Sequence, residues 1–398
     1  MTTTDGYADT GAGDTARVWD VVVIGAGPAG SQAAHAASRA GAHTLLIERE
    51  QLPRYKRCGG GLTGAALAAL PDGFDVPTLA LIDSATFSTR LSRPRHRRAD
   101  EPFLTLINRD TFDAQLMTAA QAAGARLITG VTVTAIAESD DLVELTTTAG
   151  TIRTRALVGA DGSAGRTARV VGATYSQVDL GLEAEIRVNP ATEALWDRRV
   201  HLDFGTVPGG YAWVFPKGNV LTVGVIGDRS QSAALRDYFS RYLQLHDLAG
   251  LPREHDGGHL TRTRAAGSPV AAGRALLAGD AAGLVDPWLR EGISYALISG
   301  RLAGLTAADL GLGRISPGRA AHLYTTSVDR DLGAALDAAG RFHALFTRRP
   351  RIEAVITRTR LGWVAFQRIS RGQSTLAGAL ALPLVSPLAK LLTGQPAT

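Results

Sequence analysis

Apolar positions fall first into a strand-like run from Asp20 to Ile24, which ends at Gly25. A stretch of helical spacing follows from about Pro28 to Ala40, and a second apolar run, His43 to Ile47, stops at Glu48. That order predicts a strand, helix and strand unit. A glycine-rich loop, LPRYKRCGGGL, comes next, then a short alanine-rich helix and strands around Ala80 to Leu91, with arginine-rich punctuation from Arg93 to Arg98. Phe112, Leu116 and Ala120 recur at helical spacing within Asn108 to Gly124, and the alternating segments ARLITGVTVTAI and ELTTTAGTIRTRALVGADG read as strands returning to the first sheet.

Between 173 and 270 the pattern changes to strands divided by turns, GLEAEIRV, VHLDFG, GGYAWVFPKGN and VLTVGVIG, joined to one helix near Ala234 to His246. This predicts an antiparallel second domain. At ALLAGDAAG the chain returns to the first sheet, and the pattern beyond Gly292 is helical. The expected organisation is therefore α/β and discontinuous, with a nucleotide-binding domain at 18–172 and 271–330, a substrate domain at 173–270, and a helical C-terminal segment at 331–398. Residues 1–17, polar and lacking the apolar core of a signal peptide, read as a disordered leader.

Composition narrows the class without naming a reaction. At 398 residues the chain exceeds what one core usually fills, which suits two lobes with a cleft. Hydrophobic residues at 45% and charged residues at 20% describe a folded globular protein. The net charge of +5 is concentrated towards the C-terminus and hints at an anionic surface or partner. Nucleic acid is set aside, because basic and aromatic residues do not interleave and no zinc spacing occurs. Cys58 is the one cysteine, so no internal disulfide forms and the cytoplasmic side is the default.

Gly25, Gly27 and Gly30, with Ala29 between them, form a GxGxxG turn between strand and helix. The first glycine permits the turn, the second lets backbone approach a pyrophosphate, and the third allows close packing, with the helix N-terminus facing the phosphates. Glu48 closes the next strand where a carboxylate would accept from a ribose diol, which disfavours NADP and leaves FAD or NAD. Two later segments decide for FAD: VGADGSAGRTARVVG around Asp161 and ALLAGDAAGLVDP around Asp280. Here the chain resembles the aromatic hydroxylase-like flavoprotein superfamily, over most of Trp19 to Leu310. The resemblance implies a Rossmann-type FAD-binding domain in which Asp280 binds the ribityl chain, Arg109 lies near the phosphates and Val133 beside the adenine.

Within that superfamily PRYKRCGGGL, Pro53 to Leu62, and YAWVFPKG, Tyr211 to Gly218, resemble the geranylgeranyl reductase family. Lysine occurs only at Lys56, Lys217 and Lys390, so two of the three fall inside these motifs. The resemblance implies an FAD-dependent reductase that saturates double bonds of a polyprenyl chain, with NAD(P)H or a small redox protein as donor. It also places Cys58, Gly59 and Gly61 against the flavin. Tyr211, Trp213 and Phe215 alternate and share one face of a strand, as a channel for an isoprenoid tail or as an aromatic core stripe; Lys217 is grouped with them as a substrate residue. Reduction of an unactivated alkene needs a proton donor, for which Cys58, Tyr211 and an ordered water are the candidates.

One departure concerns the segment after Pro287, where the family commonly has a glycine before Glu-Gly-Ile. Here Trp288, Leu289 and Arg290 precede Glu291, Gly292 and Ile293. If Gly292 and Ile293 still offer backbone N–H groups to the flavin, Arg290 must point away or meet an anion; otherwise it marks altered chemistry. Towards the C-terminus Arg341, Arg348, Arg349, Arg351, Arg358, Arg360, Arg368 and Arg371 are opposed only by Glu353. They read as the solvated face of a helical tail or as a peripheral contact with anionic membrane. The uncharged run Ser374 to Ala389 is too short to span a bilayer. Rival readings are a flavin monooxygenase, with a halogenase disfavoured by Tyr211 and Phe215, and an electron-transfer flavoprotein that reduces no alkene.

Overall fold

The computed structural model describes residues 17–348 and 359–380. Residues 1–16 of the proposed leader, Arg349, Arg351, Arg358 and the run beyond Leu380 lie outside the described residues. Among the described residues the strands form sheets of eight, seven and three.

Strand Val18–Ile24 lies at the centre of the eight-stranded sheet, parallel to Gly150–Gly159 on one side and to Thr44–Ile47 on the other. Layers on both faces bury Val21, Val22 and Val23 completely, which is why this strand is continuously apolar and does not alternate. The chain leaves it at Gly25, between neighbours that diverge to opposite sides, so the crevice of a doubly wound sheet opens there. Strand Ala275–Leu277 pairs parallel with Gly150–Gly159, which brings the distant ALLAGD segment back to the same crevice.

Helix Pro28–Arg39 packs along helix Ile293–Gly311 through small residues. A Cβ added at Gly300 would stand 2.2 Å from the Ala29 carbonyl oxygen, and one at Gly304 would stand 2.2 Å from that of Ala33. Backbone, not a movable side chain, fills the space, so Gly304→Val is expected to destabilise the fold by about 1–3 kcal/mol or more. Urea denaturation followed by far-UV circular dichroism would show the shifted midpoint.

The seven-stranded sheet runs in the order Arg253–Arg264, Tyr175–Arg187, Val220–Asp228, Tyr211–Lys217, Arg199–Phe204, Ser84–Thr89, Ser92–Arg98. It is thus not confined to 173–270. Ser84–Thr89 joins it by parallel pairing with Arg199–Phe204, which buries Ala85 and Phe87, and the arginine-rich Ser92–Arg98 closes its edge. Charge on a solvent-facing edge strand also guards against pairing with another chain. Helix Ser232–Leu245 covers one face of this sheet, burying Ala184, Ala212, Val214, Val223 and Val225 with Tyr238 and Tyr242. Alternation then sends Glu183, Trp213, Phe215 and Ile226 to the other face.

Beyond Gly292 the described residues are largely helical. Helix Arg360–Ser370 lays Trp363 and Phe366 edge-on against Phe87 and Phe103, with ring centroids 5.3–6.1 Å apart. Phe342 and Phe346 pack on Trp288 at 4.5 and 5.4 Å. Several apolar residues of the basic tail therefore close the protein's own core. Among the described residues no helix is long and apolar enough to cross a membrane.

Candidate active site

A cavity of about 620 Å³ runs from the Gly25 turn to the inner face of the seven-stranded sheet, and almost every residue singled out from the sequence borders it. At the nucleotide end Gly25 adopts φ +94°, and a Cβ there would stand 2.4 Å from the Ala160 carbonyl oxygen. At Gly30 a Cβ would stand only 1.7 Å from the Gly25 oxygen, so the turn folds on itself in a way no other residue permits. Helix Pro28–Arg39 begins here with no side chain capping its N–H groups, which leaves them available to an anion.

Glu48 is buried at the end of its strand, as expected, and also braces the turn. Its Oε2 accepts from the Ala26 N–H at 2.9 Å and its Oε1 from the Glu50 N–H at 3.1 Å. Val133 borders the same end of the cavity beside Val131 and Ile136. Arg109 is held by a bidentate pair with Asp113, at 2.8 and 2.9 Å, and Arg54 bridges Asp113 at 3.3 Å and Glu48 at 3.5 Å. Burial works against the charge on Arg109, but Asp113, helped by Cys58, more than offsets it and raises the guanidinium further above its ordinary pKa. Lys56 and Arg57 border the cavity as well, and burial, reinforced by Arg109, lowers the Lys56 pKa. This cationic group was visible as PRYKR, but only Arg109 was singled out, because spacing alone does not tell a solvated arginine from a buried one.

The two aspartates differ. Asp161 borders the cavity, yet its Oδ2 accepts from the N–H groups of Arg166 and Thr167 and its Oδ1 from the Thr167 hydroxyl. Its carboxylate thus organises the turn into helix Thr167–Val171 at the cavity wall, where Asp161 was expected to help bind the cofactor. Among the described residues the Asp280 carboxylate accepts a hydrogen bond only from the Ser163 hydroxyl, at 3.4 Å, and it stands beside Gly292, where a Cβ would be 3.4 Å from its Oδ1. It fits the role of a carboxylate waiting for hydroxyl donors.

The loop before Gly292 is built on Asp286, whose Oδ1 accepts from the N–H groups of Trp288 and Leu289 at 2.8 and 2.7 Å. Arg290 follows with φ +54° and meets an anion, as one of the two expectations had it. Its guanidinium spans Asp179 at 3.1 and 3.2 Å and donates to the Trp288 carbonyl at 2.7 Å, and both side chains of the pair are nearly inaccessible, at 3% and 2%. Gly292 then caps helix Ile293–Gly311, which starts at the cavity wall.

Cys58, Gly59 and Gly61 press against the YAWVFPKG strand, so the two motifs meet in space. A Cβ at Gly59 would stand 2.9 Å from the Phe215 ring and 3.5 Å from the Trp213 Nε1. Tyr211, Trp213 and Phe215 do share the cavity face. The Tyr211 hydroxyl donates to the Leu289 carbonyl, and burial raises its pKa, so its proton is committed to the loop. Tyr211, one of the expected proton donors, therefore directs its hydroxyl at the loop. Lys217 does not border the cavity: its Nζ donates to the Cys58 carbonyl at 3.1 Å and sits 3.4 Å from Glu185, so it props the cysteine loop instead of facing substrate.

Among the bordering residues that escaped the sequence reading are the ionisable Glu183 and His259. Glu183 Oε1 accepts from the Cys58 N–H at 2.9 Å, and burial pushes its pKa up to about 7. Burial, then Lys56, Arg57 and Arg109, hold His259 down to about 4. The available signal was GLEAEIRV itself, in which Glu183 and Glu185 share one face while Leu182, Ala184 and Ile186 take the other.

The doubly wound sheet, the glycine cradle and the waiting Asp280 define an FAD-dependent oxidoreductase, and the family model described as FAD dependent oxidoreductase matches residues 20–201. The chain belongs to the geranylgeranyl reductase family of these enzymes. It is 32% identical over 329 residues to the menaquinone reductase of Mycobacterium tuberculosis, covering 77% of this chain and 80% of that one. To the geranylgeranyl diphosphate reductase of Rhodobacter capsulatus it is 31% identical over 310 residues, 73% and 75% of the two chains. A geranylgeranyl bacteriochlorophyll reductase-like protein of Thermoplasma acidophilum superposes with a TM-score of 0.74 at 19% identity, over 94% of this chain and 99% of that one. Flavin-dependent halogenases share the fold too, at 15–23% identity.

Proposed function

We propose that this enzyme saturates isolated carbon–carbon double bonds of a geranylgeranyl or related polyprenyl chain. The observation that carries the reading is the continuity of the cavity. From the cysteine loop it extends over Tyr211, Trp213, Phe215, Val200 and Leu202 and is closed by Phe103, Leu104 and Phe366. Such a surface suits a flexible hydrocarbon and offers little to orient a polar aromatic ring. Names of relatives that act on geranylgeranyl diphosphate and menaquinone support the same class of substrate.

In this reading Gly25, Gly27, Ala29 and Gly30 let the helix N-terminus reach the FAD diphosphate, and Arg109 adds positive charge. Glu48 faces the ribose, Val133 the adenine and Asp280 the ribityl hydroxyls, while Asp161 shapes the turn beside them. Gly292 and Ile293 present backbone N–H groups, and Cys58, Gly59 and Gly61 wall the reacting end. When bound, the flavin supplies the two reducing electrons, renewed by NAD(P)H or a small redox protein. The chain's own part is to hold the alkene dry, fix its distance and deliver a proton. On helix Arg360–Ser370, Leu361 and Val364 are 77% and 42% exposed, and they suit the edge of a membrane that holds such a chain.

Incubating the dithionite-reduced protein with prenyl diphosphates and prenylated quinones is expected to give mass gains in steps of two hydrogens. Incorporation of oxygen in place of hydrogen would favour a monooxygenase and end this reading.

A further inference from the structure

The register of the seven-stranded sheet sets the cavity face in rows. Glu183 pairs with Gly224, and Gly224 with Trp213; on the next row His259 pairs with Gly181, Gly181 with Ile226, and Ile226 with Tyr211. Glycines at 181 and 224 leave the centre of these rows low. A Cβ at Gly224 would stand 2.2 Å from the Trp213 ring, and one at Gly181 would stand 2.7 Å from the His259 ring, so both rings lie across the gaps. The face is therefore graded, with carboxylate and imidazole at one end and aromatic and aliphatic side chains at the other.

Glu183 is 1% exposed, and only one of its oxygens is used: Oε1 holds the Cys58 N–H, while Oε2 is buried without a hydrogen-bond partner. A carboxylate so placed is costly, whereas a carboxylic acid in the same position has a proton to give. The Tyr211 hydroxyl donates to Leu289, and the Cys58 sulfur accepts from the Gly60 N–H at 3.4 Å.

We propose that Glu183 is the proton donor of the reduction, held in place by the backbone of the cysteine loop. This rests on the prenyl-reduction reading. The π bond of the alkene breaks, one carbon gains a hydride equivalent from the reduced flavin, and the other gains the Glu183 proton. The carboxylate left behind regains a proton from water. Groups facing Glu183 act on its charge in both directions. Glu185 on its own strand opposes ionisation, Lys217 and Arg57 favour it, the Cys58 N–H donates to it, and Tyr55 on the loop and His259 on the neighbouring row are neutral near pH 7. Burial dominates these and keeps the acid form up to about pH 7.

Glu183→Gln keeps an oxygen for the Cys58 N–H and removes the proton. The variant is expected to bind FAD and take electrons from dithionite as the parent does, but to turn over roughly 10²-fold more slowly. The parent should lose rate by roughly tenfold per pH unit as pH rises above about 7, where Glu183 ionises, and the variant should not. Infrared spectra of protein labelled with ¹³C-glutamate should show a protonated carboxyl band that titrates near pH 7 and is missing from the variant. A variant that keeps the parent's rate and pH profile overturns the proposal, as does a parent in which no such band is lost on substitution. If the band titrates but no prenyl substrate gains hydrogen, the prenyl-reduction reading has failed and the delivery step falls with it, while the band still identifies a protonated Glu183.

Discussion

Arg290→Ala is expected to cost about 3–5 kcal/mol of folding stability, because it leaves the Asp179 carboxylate buried with its main cationic partner gone. The Gln177 side chain also donates to Asp179, at 2.7 Å, but a single neutral amide cannot balance the charge. The pair ties strand Tyr175–Arg187 to the loop that leads into Gly292, and His343 of helix Ala334–Arg348 stands 3.3 Å from the same guanidinium. The loss should therefore extend to the cavity wall as well as to global stability. Replacing Asp179 by asparagine in the same chain should recover most of the loss, since the unpaired charge disappears with it. Urea denaturation of the two single variants and the double variant gives the coupling directly; additive single effects would show that the pair is not the source of the cost.

Gly30→Ala is expected to purify without flavin, or with an affinity for FAD at least 10- to 100-fold weaker, a loss of about 1.4–2.8 kcal/mol or more. One methyl group at Gly30 would overlap the Gly25 carbonyl, so the turn must open, and the helix N-terminus moves from the position that meets a diphosphate. The 450 nm flavin absorbance relative to 280 nm in the purified protein, followed by titration with FAD, measures the effect. Retention of flavin in full would mean that the turn does not carry the binding.

Much of the site was legible because its devices are local. The GxGxxG turn is a constraint on consecutive backbone, and Glu48 sits at a strand end that the apolar runs already marked. Asp280 was found through a motif, and strand Ala275–Leu277, returning beside Gly150–Gly159, carries it to the crevice. Lys217 was grouped with the substrate for a similar reason, but its side chain serves the backbone of the cysteine loop. Motif membership shows that a residue matters to the site; the direction of its side chain is a separate fact.

Glu183 marks the opposite case. Its strand displayed two acids on one face, yet a strand with one polar face is ordinarily a half-solvated strand. Only the closure of that face by the cysteine loop, 125 residues away in sequence, turns the acid into a buried group with a free oxygen. The same holds for Arg290, whose departure from the family pattern was plain while its partner Asp179, 111 residues distant, was not.

By itself, then, the sequence determined the doubly wound nucleotide half, the glycine turn and the alternation that places Tyr211, Trp213 and Phe215 on one face, since each depends on periodicity or on neighbouring backbone. Tertiary structure alone decided which polar groups lose their water. It joined Ser84–Arg98 to the second sheet, buried Arg290 on Asp179 and set Glu183 under Cys58, because desolvation is a property of what packs over a residue and not of the residues beside it in the chain.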